Sequence, residues 1–214
     1  MSRCIMPMTT TSYAVLGLLS VRAWTTYELA KQVQRSLNWF WPRAERKLYD
    51  EPKLLVAAGF ATATREFTGQ RPRTLYAITE AGRDALRRWL DEPSAPRVSE
   101  FEAMVKVFFA DAGSLDQLRV TVDAIEASAR DRVAALGDLV DRSLTDGPVF
   151  PERQHISALT LRLQLAQEAA VLDWTAWARE QLSTWASTTD PAEWDDRAAL
   201  TELRAQIQAV QKDR

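Results

Sequence analysis

The sequence predicts a mainly α protein in two parts. An N-terminal helical domain carries a small β-hairpin, and a C-terminal domain is built of long antiparallel helices. Three observations predict this. Apolar residues recur at helical spacing through most of the 214 residues, with a change to alternation only near residues 61–78. Only 7 glycines occur, too few for a turn-rich all-β chain. Charge divides the chain: residues 1–90 hold 14 Lys+Arg against 7 Asp+Glu, net +7, and residues 91–214 hold 13 against 22, net −9. A basic half joined to an acidic half reads as two modules with different partners.

Composition removes several classes. Hydrophobic residues at 46% and charged residues at 26% fit an ordinary globular protein rather than a disordered or fibrous one. One cysteine permits no internal disulfide, and a reducing cytoplasm is the expected location. The longest uncharged run, Cys4 to Val21, is apolar only over Tyr13 to Leu19, too short to span a membrane. Arg3 before that run leaves a signal peptide as a weaker alternative, with Arg22 placed badly for a cleavage region.

Residues 1–11 are expected as a flexible tail. Ser12 to Ser20 opens on an N-cap type of residue and reads as a short buried helix around Leu16. Thr25 or Thr26 caps a second helix to about Leu37, with Tyr27, Leu29, Ala30, Val33 and Leu37 near helical spacing. Glu28 in its first turn suits the positive end of the helix dipole. Trp39-Phe40-Trp41-Pro42 breaks the pattern, and Pro42 suits the first position of a third helix. That helix is expected to reach Ala58, stop at Gly59 and kink at Pro52. Ala61–Phe67 and Thr74–Ile78 read as strands joined by the basic loop Gly69–Pro72. Thr79 then caps a helix containing Ala81, Leu86, Trp89 and Leu90.

Three helices, a hairpin and a closing helix make a winged helix-turn-helix over residues 12–92. A helix fits the major groove of double-stranded DNA, and side chains near its start reach base edges. Arg43, Arg46, Lys47 and Tyr49 stand on that stretch, with Lys53 further along. Arginine suits guanine edges and phosphates because its fork donates two parallel hydrogen bonds. Arg71 and Arg73 at the hairpin could hold backbone phosphates or enter the minor groove. The plainer alternative is solvated charge on an ordinary small domain.

A family resemblance rests on the same residues. Tyr13-Ala14-Val15-Leu16-Gly17-Leu18-Leu19-Ser20, Tyr27-Glu28-Leu29, Phe40-Trp41, Leu48-Tyr49, Leu55 and Gly59-Phe60 follow in order. Arg71-Pro72-Arg73-Thr74-Leu75-Tyr76-Ala77-Ile78-Thr79 and Gly82-Arg83 complete the set. Together they resemble PadR-like transcriptional regulators over residues 12–92. The sequence departs from the family at Val21-Arg22-Ala23-Trp24, where many members have a Gly-containing turn. It departs again at Pro52, three residues after Tyr49. The resemblance implies a regulator of transcription whose effectors include aromatic acids or hydrophobic drugs.

Residues 93–98 are the expected linker, with Pro93 and Pro96 as breaks. Residues 99–214 are expected as a helical dimerisation and effector domain. A helix from Ser99 to Ala110 carries Phe101, Met104, Val105, Phe108 and Phe109. From Ser114 to Leu144, Leu115, Leu118, Val122, Ile125, Ala129, Val133, Leu136 and Val140 follow coiled-coil-like spacing. Glu152 to Ala186 carries Ile156, Leu159, Leu163, Ala166, Ala170, Trp174 and Trp177, with a second apolar side at Leu161, Leu165 and Leu172. A last helix, Asp195 to Val210, carries Leu200, Leu203, Ile207 and Val210. Helices apolar on more than one side need cover on more than one side, and a second copy of the chain is the simplest cover. This region is similar to the longer C-terminal domain of the subgroup that includes virulence-gene activators.

Nothing in the sequence demands catalysis, a metal or a cofactor. One His and one Cys cannot build a Cys/His zinc site, and no phosphate-cradling glycine loop occurs. Trp39, Trp41, Trp174 and Trp177 are the candidate effector-binding aromatics; the alternative is that they fill core and interface. The expected function is a homodimeric, DNA-binding regulator, a repressor on a palindromic operator. A winged-helix interaction or ligand-binding module without DNA, and a carboxylate-based hydrolase or transferase, remain as other classes.

Overall fold

In the computed structural model, which describes residues 8–41, 49–68 and 71–212, the first helix is α1 (Thr10–Val21). It is capped by Thr9, not Ser12, and so begins inside the stretch expected as tail. Ser12 is the fourth residue of a capping box: its N–H donates to Thr9 Oγ1 at 3.3 Å, and Thr9 N–H donates to Ser12 Oγ at 2.9 Å. Each side chain satisfies a backbone donor that the first helical turn leaves unpaired. Val15, Leu16 and Leu19 form the buried face.

A short strand, β1 (Trp24–Thr25), was not expected. It fills the position where a glycine turn would sit. Trp24 pairs with Tyr76, is 3% exposed, and donates its indole N–H to the Leu18 carbonyl at 2.7 Å. The large ring anchors the connection that glycine would otherwise let turn freely. Helix α2 (Thr26–Ser36) follows, capped by Thr25, with Leu29 and Val33 buried. Helix α3 (Glu51–Ala58) begins just before Pro52, so the proline lies in the first turn and kinks nothing. The expected start at Pro42 falls outside the described residues. Gly59 ends α3 at φ 83°, a left-handed cap that favours glycine, and its N–H reaches the Leu55 and Val56 carbonyls.

Strands β2 (Ala61–Thr68) and β3 (Arg71–Ile78) form the wing, in the sheet order β1–β3–β2. The expected loop Gly69–Pro72 is shorter than read, because Arg71, Pro72 and Arg73 already pair with Thr68, Phe67 and Glu66. Pro72 cannot donate to a ladder, which hid the strand from a propensity reading. Helix α4 (Glu80–Asp91) is capped by Thr79 and packs on α1, where the Tyr13 and Trp89 rings stack at 4.8 Å. Leu90 is exposed.

The chain divides into two compact units between Arg97 and Val98. In the second, α5 (Glu102–Phe108) precedes two 31-residue helices, α6 (Leu115–Thr145) and α7 (Gln154–Thr184). Arg119 meets Leu182, Asp123 meets Arg179 and Arg132 meets Glu168, so the two run antiparallel. Leu118 and Val122 pack on Ala178 and Leu182, joined by Trp174 and Trp185.

Most of the α6 stripe is inward, with Leu118, Val122, Ile125, Ala129 and Leu136 buried and Leu115 and Val133 half-buried, while Val140 is exposed. The α7 stripe is not. Gln164, Glu168, Thr175, Ala178 and Leu182 are its buried residues. Ile156, Leu159, Leu163 and Trp177 are 45%, 72%, 55% and 45% exposed. The reason lies on α6. Glu126, paired with Arg130 and Arg179, and Arg132, paired with Glu168, create a polar layer that only a polar α7 face can satisfy. Helix α8 (Asp196–Lys212) buries none of its residues, and Leu200, Leu203, Ile207 and Val210 are exposed.

Candidate nucleic-acid interface

The start of α2 is held by a capping box and by pairing with the wing. Thr25 Oγ1 accepts the Glu28 N–H at 3.3 Å, and Glu28 Oε2 accepts the Thr25 N–H at 2.8 Å. Thr25 also pairs with Leu75 of β3, so the helix start and the wing share one scaffold. The Glu28 carboxyl lies below the usual carboxylate range. The Thr25 N–H is the main cause, helped by the Thr25 hydroxyl and Arg22, while burial opposes it. Arg22 is tied on its other side, 3.7 Å from the centre of the Trp24 ring.

Beside this helix start lies a surface recess of about 600 Å3, lined by Thr25–Glu28 with Lys53, Arg73, Thr74 and Tyr76. The first backbone N–H groups of a helix lack partners within it and attract anions. Lys53 and Arg73 add two cations to that lining. Neither is idle: Lys53 Nζ is 3.2 Å from Asp50, and Arg73 is 2.8 Å from Glu66. Both are exposed pairs, which exchange readily for another anion.

The recess therefore unites two of the expected contact residues, Lys53 and Arg73. Tyr49 stands 64% exposed in the turn before α3. Arg71 opens β3, opposite Thr68. Arg43, Arg46 and Lys47 lie outside the described residues. Trp39 and Trp41 belong to the first unit and spend their indole N–H groups on the Arg35 carbonyl and the Thr11 hydroxyl. Trp174 and Trp177 belong to the second.

Tyr27 and Lys31, on the outer side of α2, are not among the expected contact residues. Tyr27 shares near-helical spacing with Leu29 and Val33 but is 67% exposed, with Lys31 Nζ 5.2 Å from its ring. The signal was present. Two residues before Leu29 corresponds to about 200° around a helix, the side opposite the Leu29–Val33 stripe.

The Transcriptional regulator PadR-like family model matches residues 15–88, and the Virulence activator alpha C-term model matches residues 101–183. Residues 15–88 are a PadR-like domain and residues 101–183 a virulence-activator type of C-terminal domain. The PadR-like model describes transcriptional regulators, not enzymes. The chain is 26% identical over 173 residues to a probable transcriptional regulator of Mycobacterium tuberculosis, spanning 76% of this chain and 92% of that one. It is 28% identical over 129 residues to the negative transcriptional regulator PadR of Bacillus subtilis, spanning 59% and 69%. That PadR in complex with operator DNA superposes with a TM-score of 0.66 at 24% identity, covering 81% of this chain and 99% of that one. The same PadR has been solved with p-coumaric acid. The virulence activator AphA of Vibrio cholerae superposes at 0.61 with 27% identity, covering 81% and 96%. Among the described residues of this PadR-like chain, no helix is long and apolar enough to cross a membrane.

Proposed function

We propose that this PadR-like regulator binds double-stranded DNA as a homodimer and represses transcription from a palindromic operator in the cytoplasm. The observation that carries the reading is the recess at the α2 start, where Lys53 and Arg73 line one opening with the exposed Tyr27, against a single carboxylate, Glu28, that the capping box already engages. That lining suits a phosphate. Arg43, Arg46, Lys47 and Tyr49 are assigned to base edges in the major groove, and Arg71 and Arg73 to the backbone at the wing.

The dimer is assigned to the C-terminal helices. Leu159 and Leu163 on α7 form an apolar stripe that α6 does not cover, and a second copy would cover it. A two-fold axis would then present two winged helices to half-sites about 34–36 Å apart. Repression follows the negative regulator among the relatives. Control by a small aromatic or hydrophobic effector follows the p-coumaric acid complex of that relative, with Trp39, Trp41, Trp174 and Trp177 as candidate contacts.

Selection of bound duplexes from a random pool tests this. The expected product is one enriched inverted repeat with half-sites about one helical turn apart. A pool that stays unenriched, or a single unrepeated site, contradicts it. Arg46→Ala should lower affinity for the enriched site by about 1–3 kcal/mol and relax one base position if Arg46 reads a base.

A further inference from the structure

The cleft between the C-terminal part of α7 and helix α8, about 1220 Å3, has walls of indole and a rim of carboxylate. Trp174 and Trp177 reach it from α7, and Trp194 from the connection to α8. Trp194 is held edge-on to Trp177 at 6.3 Å and to Trp185 at 5.9 Å. The connection is shaped for this. Ala186 and Ser187 donate to the Asp190 carbonyl, and Ala192 adopts φ 55°, a left-handed conformation that a non-glycine residue rarely takes. The matched C-terminal domain ends at residue 183, so Trp185, Trp194 and α8 lie outside it.

The charge on this cleft has one sign. Asp173, Glu193, Asp195 and Glu202 line it, and no Lys, Arg or His does so among the described residues. Asp195 is occupied, accepting the Ala198 N–H at the start of α8, and Glu202 accepts from Gln206. The carboxylates of Asp173 and Glu193 make no hydrogen bond or ion pair among the described residues. Tryptophan is the strongest aromatic partner for a cation, and unpaired carboxylates beside it add direct attraction. The same carboxylates repel an aromatic acid.

We propose that the α7–α8 cleft binds a lipophilic organic cation, held on the faces of Trp174, Trp177 and Trp194 and by the carboxylates of Asp173 and Glu193. As the effector of transcription it rests on the regulator reading above. As a binding site it does not, because binding is read without DNA.

The test compares tetraphenylphosphonium with tetraphenylborate, ions of matched size and opposite charge, by calorimetry and tryptophan quenching on the full chain. The cation should saturate the protein and quench its emission, and the anion should bind at least about tenfold more weakly. Trp177→Ala should weaken the cation about five- to tenfold. Should that variant lose its helical circular dichroism, the surface variant Asp173→Asn/Glu193→Gln carries the test. It should weaken the cation and narrow the gap between the two ions. Equal binding of both ions, p-coumarate binding more tightly than the cation, or a cation affinity that neither folded variant moves would overturn the proposal. Cation binding with no DNA binding would sink only the regulator reading.

Discussion

Glu66 and Arg73 stand directly opposite each other on β2 and β3, and their side chains meet at 2.8 Å. The wing arginine assigned to phosphate is therefore already holding a carboxylate. Both groups are exposed, so the pair adds little to folding and competes with DNA for the same guanidinium.

Glu66→Gln should release Arg73 and raise DNA affinity about two- to fivefold on every sequence, as expected for an exposed pair of this kind. Arg73→Ala should lower affinity about uniformly and reduce the salt slope by about one. Titrations at several salt concentrations read both. A loss confined to one operator sequence would mean that Arg73 touches a base instead.

The cap of α2 ties stability to pH. Glu28 has a lowered pKa in the folded chain, chiefly through the Thr25 N–H. Its contribution is present above the unfolded carboxylate pKa, about 4.3, and is lost as pH falls through the lower folded value. Thr25→Ala should cost about 1 kcal/mol at neutral pH. Glu28→Gln should flatten the acid limb of the stability curve. Urea unfolding between neutral pH and pH 3 measures both, and an unchanged acid limb in Glu28→Gln contradicts the assignment.

Gly82 lies where α4 crosses the end of β2. A Cβ there would overlap the Phe60 carbonyl oxygen and press Ile78 Cγ1 at 2.9 Å. Gly82→Ala should destabilise the N-terminal unit by about 1–3 kcal/mol, seen as a lower thermal midpoint. Gly17→Ala meets nothing within 4 Å and should leave that midpoint unchanged or slightly raised.

The apolar side of α7 carries the assembly claim. Leu159→Glu/Leu163→Glu should convert the protein to a monomer by light scattering while helical circular dichroism is retained, because neither leucine packs on α6. A dimer that survives both charges would place the interface elsewhere.

The sequence was most legible where periodicity and caps agree. Thr25 with Glu28, Ser114 with Gln117, and Thr79 mark helix starts that spacing alone places within a residue or so. It was less legible where one residue type serves two roles. Ser12 could cap a helix or accept from its cap, and Thr9 decided the matter. Pro52 could kink a helix or open one. Tyr27 sits close enough to Leu29 in the chain to read as core, although its side of the helix faces out. On α7 the hydrophobic pattern named the wrong partner face, because the ion pairs of Glu126 and Arg132 depend on a helix far along the chain. Lys53 and Arg73 were expected at the interface, but their recess with the α2 start depends on β1 pairing with β3, a two-residue strand that leaves almost no pattern.

Fluorescence anisotropy with labelled DNA from upstream of the protein's own gene, against a scrambled duplex at two salt concentrations, tests the central claim most directly. The account predicts tight binding to the native duplex, weaker binding to the scrambled one, and a steep loss of both as salt rises. Affinity that is equally weak on both duplexes and indifferent to salt would contradict it, and would leave the winged helix to a partner other than DNA.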